Sequence, residues 1–289
     1  MQPDLSFLYQ AFFAHRTIRD IESSWLESET GVLKKLREAA DRLERHVVPV
    51  FHASDESELQ PAGTGVLARL RDRAYLISAA HVLDHCGTGV FVPNKFGHIE
   101  PLLSPTIVTG RPPGTTRNDD RVDIGFVRLT VAEAEAIGVE RTVDLDVVSG
   151  PPMPADTTLF LALGFPLRDH RTDPSAGTMN GKLTSFMTGM ADENAYKRAG
   201  VDERSHLLLR LDRRVITTGN AFGAPPDMRG ISGGGVWPVR IDVADPTDQT
   251  PFFAGLVVER PKRFRASLAV TRGTVIRYFV HRFDDGKAS

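Results

Sequence analysis

A chain of 289 residues, 41% hydrophobic and 25% charged, has the make-up of an ordinary folded protein and enough length for one large or two small domains. A formal charge of -2 excludes the broad basic surface that nucleic acid or an anionic membrane would attract, so neither is expected as a partner. The single cysteine, Cys86, excludes an intrachain disulfide and fits a reducing compartment; with no basic and apolar leader and no membrane-length apolar run, a cytoplasmic location is expected.

From about Ser6 to Val48 the pattern predicts helix. Leu33, Leu36, Ala39, Ala40, Leu43 and Val47 recur at helical steps, with Lys34, Lys35, Arg37, Glu38, Asp41 and Arg42 on the other face and Pro49 as a natural stop. Phe7 to Trp25 is also apolar on one side, and Glu27-Ser28-Glu29-Thr30-Gly31 reads as a break between two helices. Residues 1–55 are therefore expected to form a helical arm. It either packs on the body of its own chain or offers a surface for a regulatory partner or self-association.

Residues 56–150 are expected to form a first β-barrel. Gly63–Leu70 and Arg73–Ser78 read as a hairpin turning at Arg71-Asp72, followed by strands at Gly89–Val92, Thr106–Val108 and Ile124–Leu129. Thr130 and Glu133 make a capping-box pattern for a short helix, Val131 to Ile137, and the proline-rich Gly150–Pro154 marks a domain boundary. Residues 151–289 are expected to form a second barrel plus a C-terminal helix. Its strands are Thr157–Leu163, Gly181–Phe186, His206–Leu211, Gly235–Val239 and Phe252–Val258; residues 190–200 read as an exposed loop or short helix. Val275, Ile276, Phe279, Val280 and Phe283 share one face of the closing helix.

Three positions could carry chemistry. His81 ends the apolar run Leu76-Ile77-Ser78-Ala79-Ala80, a rigid strand end; a hydrogen-bonded structural histidine or, with His85 and Cys86, a metal ligand are the competing readings. Asp123 abuts the apolar Ile124-Gly125-Phe126-Val127 and needs a partner if it loses solvent, whereas Asp119 and Asp120 are read as solvated. Ser232 lies in Gly230-Ile231-Ser232-Gly233-Gly234-Gly235, where glycines let the backbone take positive φ and aim amide N–H groups at one point, although such a run also suits a flexible turn.

Histidine, aspartate, serine is one of the known chain orders for an acyl-transfer triad, and it differs from that of α/β-hydrolases, whose serine comes first. Thr64-Gly65, Leu76–His81, Asp123-Ile124-Gly125, Gly164-Phe165-Pro166, Gly230–Gly235 and Ala254-Gly255-Leu256-Val257 together resemble the trypsin-like (chymotrypsin-fold) serine peptidases, most of all their bacterial, disulfide-free branch. The resemblance runs from about Pro61 to Val270. It implies a mainly β fold of two six-stranded antiparallel barrels with the active site in the crevice between them, here extended by the N-terminal helices and the C-terminal helix. It implies a serine endopeptidase acting on polypeptides, with His81 as base, Asp123 orienting it, Ser232 as nucleophile and the amides of Gly230 and Ser232 as oxyanion hole. No metal or organic cofactor is called for.

Two departures from the family pattern stand out. Ile231 replaces the aspartate that receives a new N-terminus after zymogen cleavage, and Val258-Glu259-Arg260 lacks the serine and glycine usual on the substrate-binding strand. Pro226, Asp227, Val258 and Glu259 are expected around the substrate pocket, with Asp227 or Glu259 available to a basic side chain; Glu259 could equally pair with Arg260 or Arg263. Control by a partner or an assembly state is expected of such an enzyme. A non-catalytic binding module on the same fold, or an esterase using the same triad, are the alternatives.

Overall fold

The computed structural model describes residues 37–54, 58–87, 89–110, 114–117, 120, 122–147, 158–173, 178–211, 216–217, 227–240, 252–259 and 267–284. Most of the expected helical arm, the boundary at 150–154, Asp119 and Pro226 lie outside these residues. The chain is mainly β and rests on two curled antiparallel sheets, the two-barrel arrangement of the chymotrypsin-like fold.

The first sheet comprises β1 (Val47–Ala53), β2 (Leu59–Leu70), β3 (Arg73–Ala79), β4 (Val90–Pro93), β5 (Ile99–Leu102), β6 (Thr106–Val108), β7 (Ile124–Arg128) and β8 (Val143–Asp144). Their order is β5-β4-β1-β2-β3-β7-β6, with β8 paired to β2 in parallel. The expected hairpin is β2–β3: Arg71 takes φ 57 in the turn, and Leu70 faces Arg73. β9 (Thr158–Gly164) opens the second sheet and is followed by a separate hairpin, β10 (His170–Asp173) with β11 (Thr178–Gly181). Then come β12 (Thr184–Thr188), β13 (His206–Arg210), β14 (Ile216–Thr217), β15 (Gly235–Arg240), β16 (Gly255–Glu259) and β17 (Ser267–Arg272). These run in the order β13-β17-β16-β15-β9-β12-β14. Among the described residues the sheets thus hold eight and seven strands rather than the six per barrel that the resemblance implies.

One expectation is corrected at the start of the described chain. Helix α1 covers residues 37–43 and gives way to a 3-10 turn, Glu44–His46, so the helix does not continue to Val48. Val47 to Phe51 are each buried, and this largely β-branched run pairs with β2 from Val47↔Val66 onward. Pro49 therefore sits inside a strand opposite Thr64 instead of ending a helix.

The remaining helices are short. They are α2 (Ala80–Cys86), α3 (Val131–Ile137) with both bonds of the Thr130/Glu133 capping box formed, α4 (Glu193–Ala199) capped by the Asp192 side chain, and α5 (Gly273–Asp284). No helix of the described residues is long and apolar enough to cross a membrane. One apolar cluster joins the two sheets, bringing together Tyr75, Ile77 and Phe126 from the first, Leu161, Trp237 and Leu256 from the second, and Ile276, Phe279 and Val280 from α5. Its continuity fixes the sheets against each other, because a packed interior deforms only at a cost in contacts. Ion pairs pin α5 across the first sheet: Asp284 meets Arg73 and Arg128, and Arg277 meets Asp146.

Candidate active site

The chain leaves β3 at Ala79 and turns at once into α2, so His81 lies in the first turn of a helix and not on the strand end that the sequence suggests. The reason is Asp123. Its main-chain oxygen accepts from Ala80 N at 3.1 Å, and its carboxylate Oδ1 accepts from His81 N at 3.0 Å, satisfying N–H groups that a helix start leaves open. Its other oxygen, Oδ2, accepts from His81 Nδ1 at 2.6 Å. Facing a carboxylate, which can only accept, Nδ1 carries the ring hydrogen and Nε2 is left with its lone pair. The Asp123 side chain is 11% exposed and that of His81 42%, so the acceptor is shielded while the imidazole reaches solvent.

Asp123 sits just before β7 at φ 49, a left-handed conformation that costs a residue with a β-carbon roughly 1–2 kcal/mol and that aspartate tolerates better than most. Asp120, expected to be solvated, is instead buried: its side chain is 3% exposed, pairs with Arg117 at 2.9 Å and accepts from Val122 N at 3.0 Å. A buried carboxylate is stable only with such partners. It braces the loop that presents Asp123.

The metal alternative is not supported by the side-chain directions. His85 packs edge-on to His52 with ring centroids 4.5 Å apart, and Cys86 is buried, its Sγ donating to Phe51 O at 3.8 Å. Burial pushes the Cys86 thiol up to about 12, the opposite of what a metal-binding or nucleophilic thiolate needs. Among the described residues no group of three or more His, Cys, Asp or Glu could hold a metal ion.

Ser232 is half-buried in a turn assembled from main-chain bonds. Gly233 N donates to Val257 O at 2.7 Å, Val257 N to Gly234 O at 2.8 Å, and Gly234 N to Ile231 O at 2.8 Å. Gly230 and Gly233 take φ 89 and φ 84, so their conformations favour glycine; a β-carbon on Gly233 would lie 1.9 Å from Thr64 O. Thr64 N donates to Ser232 O at 3.0 Å, which ties the turn to β2 in the first sheet. Gly63 beside it is wedged: a β-carbon there would lie 2.8 Å from Val82, the neighbour of His81 on α2, and 3.2 Å from Ser232 O. The three predicted residues are thus gathered around the β2–β3 hairpin. Among the described residues Ser232 Oγ makes no hydrogen bond to His81, and the N–H groups of Gly230 and Ser232 donate to nothing.

Around the expected pocket, Asp227 is engaged by its neighbour: Arg229 Nη2 donates to Asp227 Oδ2 at 2.7 Å, and Arg229 N to Oδ1 at 3.1 Å. The Arg229 side-chain hydrogen bonds hold the Asp227 carboxyl below its ordinary range. Val258 is 2% exposed and packs in the core with Tyr196, Leu208 and Ala269, so its side chain does not line an open pocket. It falls at the irregularity between Val257 and Glu259 in the β16–β17 ladder, which turns it inward. Glu259 closes β16, and its side chain, like Pro226, lies outside the described residues.

Two buried hydroxyls that the sequence reading passes over complete the site. Thr64 and Ser78 are both 0% exposed; Ser78 Oγ donates to Thr64 O at 2.6 Å, and Thr64 Oγ1 donates to Gly230 O at 2.6 Å. Their signal was a hydroxyl residue among glycines, Gly63-Thr64-Gly65, and a serine inside an otherwise apolar strand.

No protein-family model and no curated protein matches this chain. Among solved structures, the serine endoprotease from Yersinia pestis is similar with a TM-score of 0.50 and 15% identity, covering 86% of this chain and 67% of that one. At such identity the likeness speaks for the fold: this chain has a chymotrypsin-like two-barrel architecture. The chemistry rests on the residues themselves.

Proposed function

We propose that the chain is a serine endopeptidase that cleaves peptide bonds through Ser232, His81 and Asp123. The observation that carries the proposal is the two-point hold of Asp123 on His81, through Nδ1 at 2.6 Å and the main-chain N at 3.0 Å. That hold fixes both the orientation of the ring and the tautomer with a basic Nε2. In the reaction, Ser232 Oγ attacks the scissile carbonyl carbon as Nε2 takes its proton, and the carbonyl electron pair moves onto oxygen. The N–H groups of Gly230 and Ser232 receive that oxyanion, each worth roughly 3 kcal/mol in the transition state. Collapse expels the amine with the proton from His81, and water repeats the sequence on the acyl-enzyme. Polypeptide is the proposed substrate, the cell interior the proposed location, and a regulatory partner the proposed means of restraint.

A second reading, a binding module on a peptidase fold, draws on the missing bond between Ser232 Oγ and His81 among the described residues. Catalytic hydrogen bonds are often long before substrate binds, so this bond's absence is compatible with either reading. A fluorophosphonate probe separates them. Wild-type protein is expected to be labelled on Ser232 and Ser232→Ala to be silent; a wild type that stays unlabelled, alone and with peptide ligands, rejects the enzyme.

A further inference from the structure

With Ile231 in the place of an acid, the nucleophile turn has no carboxylate for a cleaved N-terminus to hold. Something else must set it. The Ile231 side chain is 0% exposed and packs with Phe160, Ala162, Val236 and Val257 in the core of the second sheet. It anchors the turn by apolar burial, a contribution of about 2–3 kcal/mol that needs no new charge. The facing residue is Gly164, where a β-carbon would lie 3.0 Å from Ile231 Cγ2.

Burial of one side chain does not orient peptide groups; four hydrogen bonds do. In a trans peptide the C=O and N–H point in opposite directions. Arg229 O accepts from Leu167 N at 2.8 Å, which turns Gly230 N–H the other way. Ile231 O accepts from Gly234 N at 2.8 Å, which does the same for Ser232 N–H. The peptide between them is held at both ends: Ile231 N donates to Met228 O at 3.2 Å, and Gly230 O accepts at 2.6 Å from Thr64 Oγ1, which itself accepts from Phe165 N at 2.8 Å, so the hydroxyl is spent at both ends and locked in direction. Thr64 O is itself held by Ser78 Oγ at 2.6 Å, two residues before the start of α2.

We propose that Thr64 is the positioning residue of the oxyanion hole: its hydroxyl holds the carbonyl end of the Gly230–Ile231 peptide, between the N–H groups of Gly230 and Ser232, so this chain's own first sheet completes the hole without a charged latch. The inference rests on the endopeptidase reading. Removing the hydroxyl leaves the central peptide held at its N–H end alone, by Met228 O at 3.2 Å, and loosens the alignment of two donors that must converge on one oxygen.

The test compares wild type with Thr64→Val, which keeps shape and loses the hydroxyl, and Thr64→Ser, which keeps the hydroxyl. Thr188→Val is the control, because Thr188 Oγ1 also donates to a main-chain oxygen, Arg210 O at 2.5 Å, on a strand not used by the nucleophile turn. The readouts are the rate constant for fluorophosphonate labelling, kcat and KM for p-nitrophenyl acetate, and the thermal midpoint. Thr64→Val is expected to lose about 10²–10³ in labelling rate and kcat with KM unchanged, the loss associated with one oxyanion donor. Thr64→Ser should stay within a few-fold of wild type, and Thr188→Val should lose stability without losing rate. A labelled wild type with Thr64→Val equally reactive overturns the role of Thr64 alone, as does a Thr64→Ser that loses as much as Thr64→Val. If the valine variant fails to fold, a Thr64→Ser that keeps the wild-type thermal midpoint yet loses about 10²–10³ in labelling rate overturns the role of the hydroxyl. An unlabelled wild type removes the endopeptidase reading and this one with it.

Discussion

His81 and Asp123 are held together by their side chains, whereas Ser232 is held by its main chain. On the first side, one carboxylate supplies both the helix-start acceptor and the imidazole partner, and the aspartate accepts a left-handed φ to do so. On the second, glycines at φ 89 and φ 84 and a ring of N–H···O=C bonds fix the turn, and the Ser232 side chain contributes no bond among the described residues. The difference teaches that the two halves fail in different ways. A change of functional group should damage the first half and leave the fold intact, while a change of backbone freedom should damage the second through the fold.

The largest expected effect tests the first half. Asp123→Asn keeps the shape of the side chain and offers the ring an amide in place of a carboxylate, which favours the wrong tautomer; in a comparable triad that change costs about 10⁴ in kcat. Labelling and p-nitrophenyl acetate hydrolysis should fall by that order while circular dichroism and the unfolding midpoint stay close to wild type. A loss within tenfold would break the comparison. Next comes Gly233→Ala, whose β-carbon would meet Thr64 O at 1.9 Å and Ser78 Oγ at 2.3 Å. Strain and overpacking together should cost about 2–5 kcal/mol in urea unfolding. Gly97→Ala is the measure to set it against: at φ 86 with nothing within 4 Å, it should show only the backbone cost, about 1 kcal/mol. Equal losses at the two glycines would mean that the turn is not held by close packing.

The smallest effect lies at the junction of the sheets. His46 is buried, its ring centroid 6.3 Å from that of Trp237, with Nδ1 donating to Arg141 O at 2.5 Å. Burial holds its imidazole below the ordinary histidine range. Above about pH 6.5 both folded and unfolded chains carry it neutral; as pH falls through that value the unfolded chain binds the proton first, so stability declines toward the lower, folded value. The slope from this one group is at most about 1.4 kcal/mol per pH unit. His46→Gln, which retains a donor, should flatten the pH dependence of urea unfolding as pH falls below about 6.5, and a profile unchanged by that variant would show that His46 does not carry it.

Much of the architecture could be read from residues that obey one local rule at a time. The β2–β3 hairpin, the capping box at Thr130 and Glu133, and the apolar face of α5 all follow a short periodicity or a turn signal. β1 and β17 escaped because their residues are buried on both faces, so no alternation marks them, and Leu43 and Val47 extend a helical spacing by coincidence. Within the site, the pairing of His81 with Asp123 was legible because each residue carries a chemistry that its apolar neighbours do not explain. Thr64 was not, since its part depends on Gly230 O, 166 positions away. The pairing of Asp227 with Arg229, two residues on, was not legible either, because local ion pairing leaves no trace in a motif.

The placement of α5 bears on when the molecule becomes competent. Arg73 and Asp284 are joined across 211 positions, and Ile276, Phe279 and Val280 cover the cluster containing Tyr75, Ile77 and Phe126, strand residues flanking the elements that carry His81 and Asp123. A nascent chain therefore leaves Tyr75, Ile77 and Phe126 without the cover of α5 until residues 273–284 have left the ribosome. Closure over such a distance is slow, because the entropy of the intervening loop is lost before the contact is made. Completion of that core thus waits on the closing helix, made after Ser232 and the turn around it.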